Sequence, residues 1–497
     1  MKKKMLLGSL GTFVISGAVS ASVIYGLDHR IEVSEGSPMQ HRLSTSTATM
    51  ISMEHITPDP VKSNVYELSQ KTLRNWLETP SEEPKYKELF SPKIRMAQKN
   101  NYTFCEGERF VDQPSPGSCS GFLIAPDLLI TAGHCSLVEN FCSKFRWVFG
   151  FEFDVKTKTA GTNVSGENIY SCKKVISKAL SIPMGLDYAL VQLDRRVVNR
   201  APVTIENSQK IENDTSLFVI GSPSGLPLKV AAGANVRNNE HPYFFSANLD
   251  TFQGNSGSAV FNAMTGVVEG ILVRGEEDFR VNQAKMCVEA NQCEDDKCRG
   301  EDVTRLSTIP EIGLQRAFNQ AAESGDMKTL MSILKLKLWV DFYTKDGESA
   351  LMKAVRAGKL EAMRTLISHG ADVNLQDARG NSSVHFFVDR NTDKDEVVLR
   401  ELLVSGAQLE LKNFNEETPL LFASQFGNLK TLKLLVSLGA SKDALNLQGE
   451  TILFSLARKN NVTAIKHFIN LGVDTSRRNN QGKVYSDYLA KKMLSQN

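Results

Sequence analysis

The spacing of hydrophobic and polar positions changes character three times along this chain. From Met5 to about Leu27 apolar residues run behind Lys2, Lys3 and Lys4, broken only by Gly and Ser. A basic head, an apolar stretch and the small-residue site Val19-Ser20-Ala21 predict an export signal cleaved near Ala21. The stretch is also about as long as a minimal spanning helix, so an uncleaved N-terminal anchor over residues 1–27 is the alternative. Residues 28–99 then lose periodicity: Ser/Thr-rich and Pro-containing runs (Ser44 to Thr49, Thr57 to Pro60, Thr79 to Pro84) flank one short amphipathic stretch near Leu68 to Leu77. That composition predicts a linker or propeptide.

Between residues 100 and 308 the pattern becomes one of short β-branched and aromatic runs. They are Phe122 to Ala125, Leu128 to Ala132, Phe145 to Phe153, Tyr188 to Leu193, Leu217 to Ile220, Tyr243 to Ala247, Val260 to Phe261 and Val267 to Val273. Gly, Pro, Asn and Asp punctuate them at intervals typical of antiparallel barrels, and the segment is long enough for two barrels with a shared cleft.

After residue 309 the period is helical and the sequence repeats. A turn motif recurs at Gly347-Glu348-Ser349, Gly380-Asn381-Ser382, Glu416-Glu417-Thr418 and Gly449-Glu450-Thr451, in steps of 33, 36 and 33 residues. Gly370-Ala371, Gly406-Ala407, Gly439-Ala440 and Gly472-Val473 keep the same register. A hydroxyl residue at one helix start and a glycine after the second helix are the caps that a repeated helix pair needs. The extra residues of the longer step fall around Asn391 to Lys394. Residues 309–497 resemble an ankyrin-repeat array, which implies an all-α solenoid and a protein partner bound on its concave face.

Composition narrows the function. A net charge of +2 with no basic stripe argues against nucleic acid as a partner. All eight cysteines lie between Cys105 and Cys298, which suits a disulfide framework in an oxidising compartment and hence an exported, periplasmic or secreted protein. A zinc site is the competing reading for Cys287, Cys293 and Cys298, but no histidine lies near them, and no metal is expected.

Candidate chemistry sits in three motifs. Gly254-Asn255-Ser256-Gly257-Ser258 places a serine on a glycine-flanked turn whose N–H groups can converge on one oxygen. A serine hydroxyl needs an imidazole base and a carboxylate that orients it. Thr131-Ala132-Gly133-His134-Cys135 offers the base, and Asp187, at the head of an alternating strand, offers the carboxylate.

The order His134, Asp187, Ser256 resembles that of the chymotrypsin/trypsin-like serine peptidases, and Gly-Asn-Ser-Gly-Ser is similar to the bacterial branch that includes glutamyl endopeptidases. The fold this implies is an all-β double antiparallel barrel over residues 100–308, followed by the all-α repeats. The implied activity is a serine endopeptidase acting on protein or peptide substrates without cofactor. Its implied catalytic residues are His134, Asp187 and Ser256, with the amides of Gly254 and Ser256 as an oxyanion hole. The resemblance also implies a Cys119–Cys135 disulfide, substrate-backbone pairing along Val273 to Gly275, and a side-chain pocket at Asp250, Gln253 and Gly275 that would take Arg or Lys. Two features depart from the family: Asn255 stands where trypsin-like zymogens have aspartate, and Leu272 stands where glutamyl endopeptidases have their specificity histidine. A catalytically silent protease-fold scaffold carrying the repeats is the alternative reading.

Overall fold

A computed structural model describes residues 23–79, 89–181, 184–205, 210–295, 297–338, 340–341, 347–377, 379–387, 395–426 and 428–489. The expected signal or anchor falls mostly on residues 1–22, and Asn391 to Lys394 on another such stretch; both lie outside the described residues. Among the described residues no helix is long and apolar enough to cross a membrane.

Two six-stranded antiparallel barrels form the middle of the molecule. The first closes in the order Ile169–Ser181, Leu186–Leu193, Leu128–Thr131, Gly117–Ala125, Thr47–Ser52, Phe145–Phe149 and back to Ile169–Ser181. The second runs Ser216–Gly221, Ala259–Asn262, Val268–Arg274, Glu301–Arg305, Phe244–Ala247 and Lys229–Asn238, which pairs again with Ser216–Gly221. Trp147, Phe122, Phe149, Phe218 and Phe261 fill one continuous core between and within the barrels. Closure leaves little free strand edge in either sheet among the described residues, which is how all-β domains limit edge pairing with other chains.

The expectation of a linker or propeptide over 28–99 is corrected. Thr47–Ser52 is a stave of the first barrel, paired on one side with Gly117–Ala125 and on the other with Phe145–Phe149. Its threonines look polar in sequence, but a β-branched residue suits a pleated strand. Thr49 is fully buried, and its hydroxyl is satisfied at 2.5 Å by that of Ser222. Arg30–Glu32 adds a short strand to Lys229–Asn238 of the second barrel. Leu73–Glu78 buries Trp76 in a satellite core with Phe90, Phe104 and Phe279.

The boundary expected at residues 308 and 309 also moves. Ile309 and Ile312, on the turn and short helix Pro310–Gly313, belong to the core of the barrels, and Met352 and Leu375 from the repeats join it. Among the described residues, five helix pairs follow. They are Gln315–Ser324 with Met327–Leu334, Ala350–Ala357 with Leu360–Ser368, Ser383–Phe387 with Asp395–Val404, Pro419–Ser424 with Leu429–Ser437, and Ile452–Arg458 with Val462–Asn470. The predicted caps form at Ser349 and Thr418, whose hydroxyls accept the amides of Met352 and Leu421. All eight cysteines pair: Cys119 with Cys135 as the resemblance implied, together with Cys105–Cys287, Cys142–Cys172 and Cys293–Cys298.

Candidate active site

Antiparallel pairing brings His134 and Asp187 together. Thr131 is in register with Ala189, so the chain that leaves its strand after Thr131 passes beside Asp187, which continues the neighbouring strand and pairs there with Leu180. His134 opens a 3₁₀ turn there. Its Nδ1 lies 2.8 Å from Asp187 Oδ2, and its backbone N–H donates to Oδ1 of the same carboxylate at 3.0 Å. Asp187 is almost wholly buried while the imidazole keeps an open face. Two contacts to one carboxylate fix both the ring's position and its tautomer, with the proton on Nδ1 and the lone pair on Nε2.

Ser256 arrives from the second barrel, in the loop that leads into Ala259–Asn262. Its carbonyl accepts from the amide of Ser120 at 2.8 Å, and the sulfur of Cys135, next to His134, lies 3.8 Å from the same oxygen. Gly257 adopts φ +89°, and a Cβ there would stand 2.1 Å from the Ser120 carbonyl and 2.3 Å from Thr131 Oγ1. Only glycine lets this turn approach so closely the strand that carries the histidine.

The turn is held from several sides. Ser120, a fully buried residue, donates its hydroxyl to the Gly254 carbonyl at 2.8 Å and accepts from Ser222 N–H at 2.9 Å. The Gln253 amide donates to both carboxylate oxygens of Asp278, at 3.1 and 3.0 Å, and its carbonyl accepts from Ser224 N–H. Among the described residues, the amides of Gly254 and Ser256 donate to no protein group. Ser120 stands within the Cys119-Ser120-Gly121 motif and could have been noticed from it. Asp278 carries no such signal.

The substrate-binding expectations fare unevenly. Val268–Arg274 pairs with Ala259–Asn262 only as far as Ile271 but with Glu301–Arg305 as far as Arg274. Beyond Leu272 one edge therefore has no strand partner among the described residues, as pairing with a substrate backbone requires. The Val273 side chain itself is buried in the core. Asp250 is not the open base of a pocket. It is buried, and its oxygens accept from the amides of Tyr25 and His29 at 2.7 and 2.9 Å, with His29 Nδ1 at 3.2 Å. Burial pushes its carboxyl up to about 6. The space beside Gly275, expected to admit a long side chain, holds the carboxylate of Glu301, 1.9 Å from where a Cβ would be. The neighbouring Arg274 pairs with Asp302 at 3.3 Å.

Cys119, Cys135 and His134 bring ligand-type atoms within 4.8 Å of one another. The two sulfurs are bonded to each other, however, so neither is a thiolate that could hold a metal.

Comparison with known families agrees with this architecture. Residues 119–271 match a trypsin-like peptidase domain, and residues 303–377 and 384–479 match ankyrin repeats. The chain is an ankyrin-repeat protein that carries a trypsin-like peptidase domain. Its repeats are 30% identical over 140 residues to human SH3 and multiple ankyrin repeat domains protein 2, covering 26% of this chain and 7% of that protein. They are similar also to the B-cell lymphoma 3 protein homolog of Mus musculus, at 32% over 108 residues, 22% of this chain and 23% of the relative. The Notch-regulated ankyrin repeat-containing protein of Xenopus tropicalis is 32% identical over 84 residues, 16% of this chain and 74% of its own length. The chain thus spans less than a quarter of the first two relatives.

Proposed function

We propose that this chain is an exported serine endopeptidase whose ankyrin array binds a protein, either the substrate or a partner that presents it. The observation that carries the reading is the doubly bonded pair of His134 and the buried Asp187, set beside the glycine-flanked turn of Ser256. His134 Nε2 takes the Ser256 proton as Oγ attacks the scissile carbonyl, then returns it to the leaving amine; Asp187 balances the imidazolium that forms in between. The developing oxyanion is met by the amides of Gly254 and Ser256, each such donor contributing about 2.7 to 4 kcal/mol to the transition state. The unpaired edge at Val273 and Arg274 takes the substrate backbone as an added strand. Complete pairing of the cysteines supports export to an oxidising compartment.

Hydrolysis of casein and of short peptides by the purified full chain, with labelling by an active-site serine probe, tests the reading. Both signals are expected in the natural chain and neither in Ser256→Ala. A folded natural chain that is silent in both assays favours the scaffold alternative.

A further inference from the structure

The loop 250–256 carries both the nucleophile and the oxyanion amides, yet its first residue is held from more than two hundred positions upstream. Tyr25 N–H donates to Asp250 Oδ1 at 2.7 Å, His29 N–H donates to Oδ2 at 2.9 Å, and His29 Nδ1 lies 3.2 Å from Oδ2. Arg30 lays its guanidinium 4.1 Å above the ring centre of Phe252. Arg30 is itself fixed by Asp28 at 2.9 and 2.8 Å.

Both ends of this upstream segment are anchored independently of the loop. Ile24–Tyr25 runs parallel to Gln292–Cys293, and Arg30–Glu32 runs antiparallel to Lys229–Ala231. Glu32 meets the buried ammonium of Lys229 at 2.8 Å. Between the anchors the chain turns at Gly26 and exposes Leu27 to solvent. Buried, hydrogen-bonded ends with an exposed crossing describe a clasp rather than a tail.

Its grip passes to the reacting groups over a short path. Phe252 accepts the amide of Asn255, the residue before the nucleophile, at 2.9 Å. Asn255 is a neutral side chain whose Oδ1, among the described residues, receives only a 3.4 Å contact from Ser258 Oγ, so the side chain brings no charge to the turn at that position. The charged restraints sit instead at Asp250 and Asp278, on either side of Phe252 and Gln253.

We propose that residues 24–30 form an intramolecular clasp that holds loop 250–256 in its reactive shape, with Asp250 as a positioning residue rather than a substrate ligand. The proposal rests on the serine-peptidase reading for its kinetic consequence but not for its structural one. Unclasped, the loop keeps its serine and loses the alignment of the Gly254 and Ser256 amides, so turnover falls for every substrate alike.

The test uses the full chain with Asp250→Ser, Asp250→Asn and His29→Pro, the last removing the backbone donor and the imidazole together. Matched peptides ending in Arg, Glu, Phe and Ala report kcat and KM, and hydrogen–deuterium exchange reports the amides of residues 252–257. For Asp250→Ser and His29→Pro, loss of charge-assisted bonds predicts a kcat fall of at least about tenfold, by a common factor on all four peptides, and a comparable rise in exchange. Asp250→Asn recovers part of both, since its Oδ1 still accepts from Tyr25. A loss confined to the Arg peptide overturns the proposal in favour of a substrate pocket, and so does unchanged exchange in both Asp250→Ser and His29→Pro. If the natural chain cleaves none of the peptides, the peptidase reading fails while the exchange measurement still decides the clasp.

Discussion

Arg196, on the first barrel, donates its guanidinium to the backbone carbonyl of Asp377 in the ankyrin region at 2.6 Å. A second bond from the same group reaches the carbonyl of Gln376 at 2.5 Å. The repeats are therefore docked on the peptidase domain rather than strung beside it, and Met352 and Leu375 complete the seam with apolar contact. Arg196→Ala should weaken this docking by about 1.5 to 3 kcal/mol, the range for a hydrogen bond that involves a charged group. Urea unfolding of the full chain should then show the helical repeats and the barrels parting into separate transitions; a single unchanged transition would count against a coupled seam.

The smallest folded peptidase unit should differ from residues 100–308. A fragment starting at residue 100 lacks the stave Thr47–Ser52, leaving Gly117–Ala125 and Phe145–Phe149 with open edges. One ending at 308 lacks Ile309 and Ile312. Expression of 100–308 is expected to give aggregated protein, whereas 23–497 should be soluble and cooperative in calorimetry. A monomeric, cooperatively melting 100–308 fragment would refute this account of the barrel.

Ser256→Ala should leave the melting temperature nearly unchanged and remove about a million-fold of kcat, the typical cost of losing a triad nucleophile. His134→Ala should cost a similar factor, and the double variant little more, because the two act as one unit. Additive losses on a sensitive fluorogenic peptide would contradict a shared role.

Acid stability of the repeats should expose two opposed groups. Burial pushes the His385 imidazole down to about 4 from 6.5, with Ser382 N–H donating to Nδ1 at 3.1 Å and the Glu417 carbonyl 3.1 Å from Nε2. The unfolded chain binds this proton first, so the stability His385 brings above pH 6.5 is lost as the pH falls towards 4, an effect of order 3 kcal/mol. Asp341 runs the other way. Burial pushes its carboxyl up to about 7 from 3.8, so its contribution is present at low pH and lost as the pH rises through that window. The two slopes oppose each other between about pH 4 and 6.5 in the natural chain. Asp341→Asn should unmask the histidine, and the urea midpoint followed by helical circular dichroism should then fall steeply in acid; a midpoint as flat as that of the natural chain would contradict the assignment.

The sequence by itself was enough for everything that rests on local chemistry. The spacing of Ser349, Ser382, Thr418 and Thr451 carried the repeat register, and Ser349 and Thr418 cap their helices with their hydroxyls, while Thr451 holds the same N-cap position without a side-chain bond. Gly254 to Ser258, His134 and Asp187, which the proposed function takes as nucleophile, base and orienting carboxylate, were legible because such groups call for fixed residue types on short motifs. Tertiary structure alone decided what depends on a distant partner. Thr47–Ser52 reads as a polar linker until two strands from elsewhere in the chain bury its threonines and satisfy Thr49 through Ser222. Asp250 reads as a substrate carboxylate until the amides of Tyr25 and His29 fill its oxygens. In both cases the side chain's role is set by which group desolvates it, and a pairing across tens to hundreds of residues leaves no mark on the local pattern.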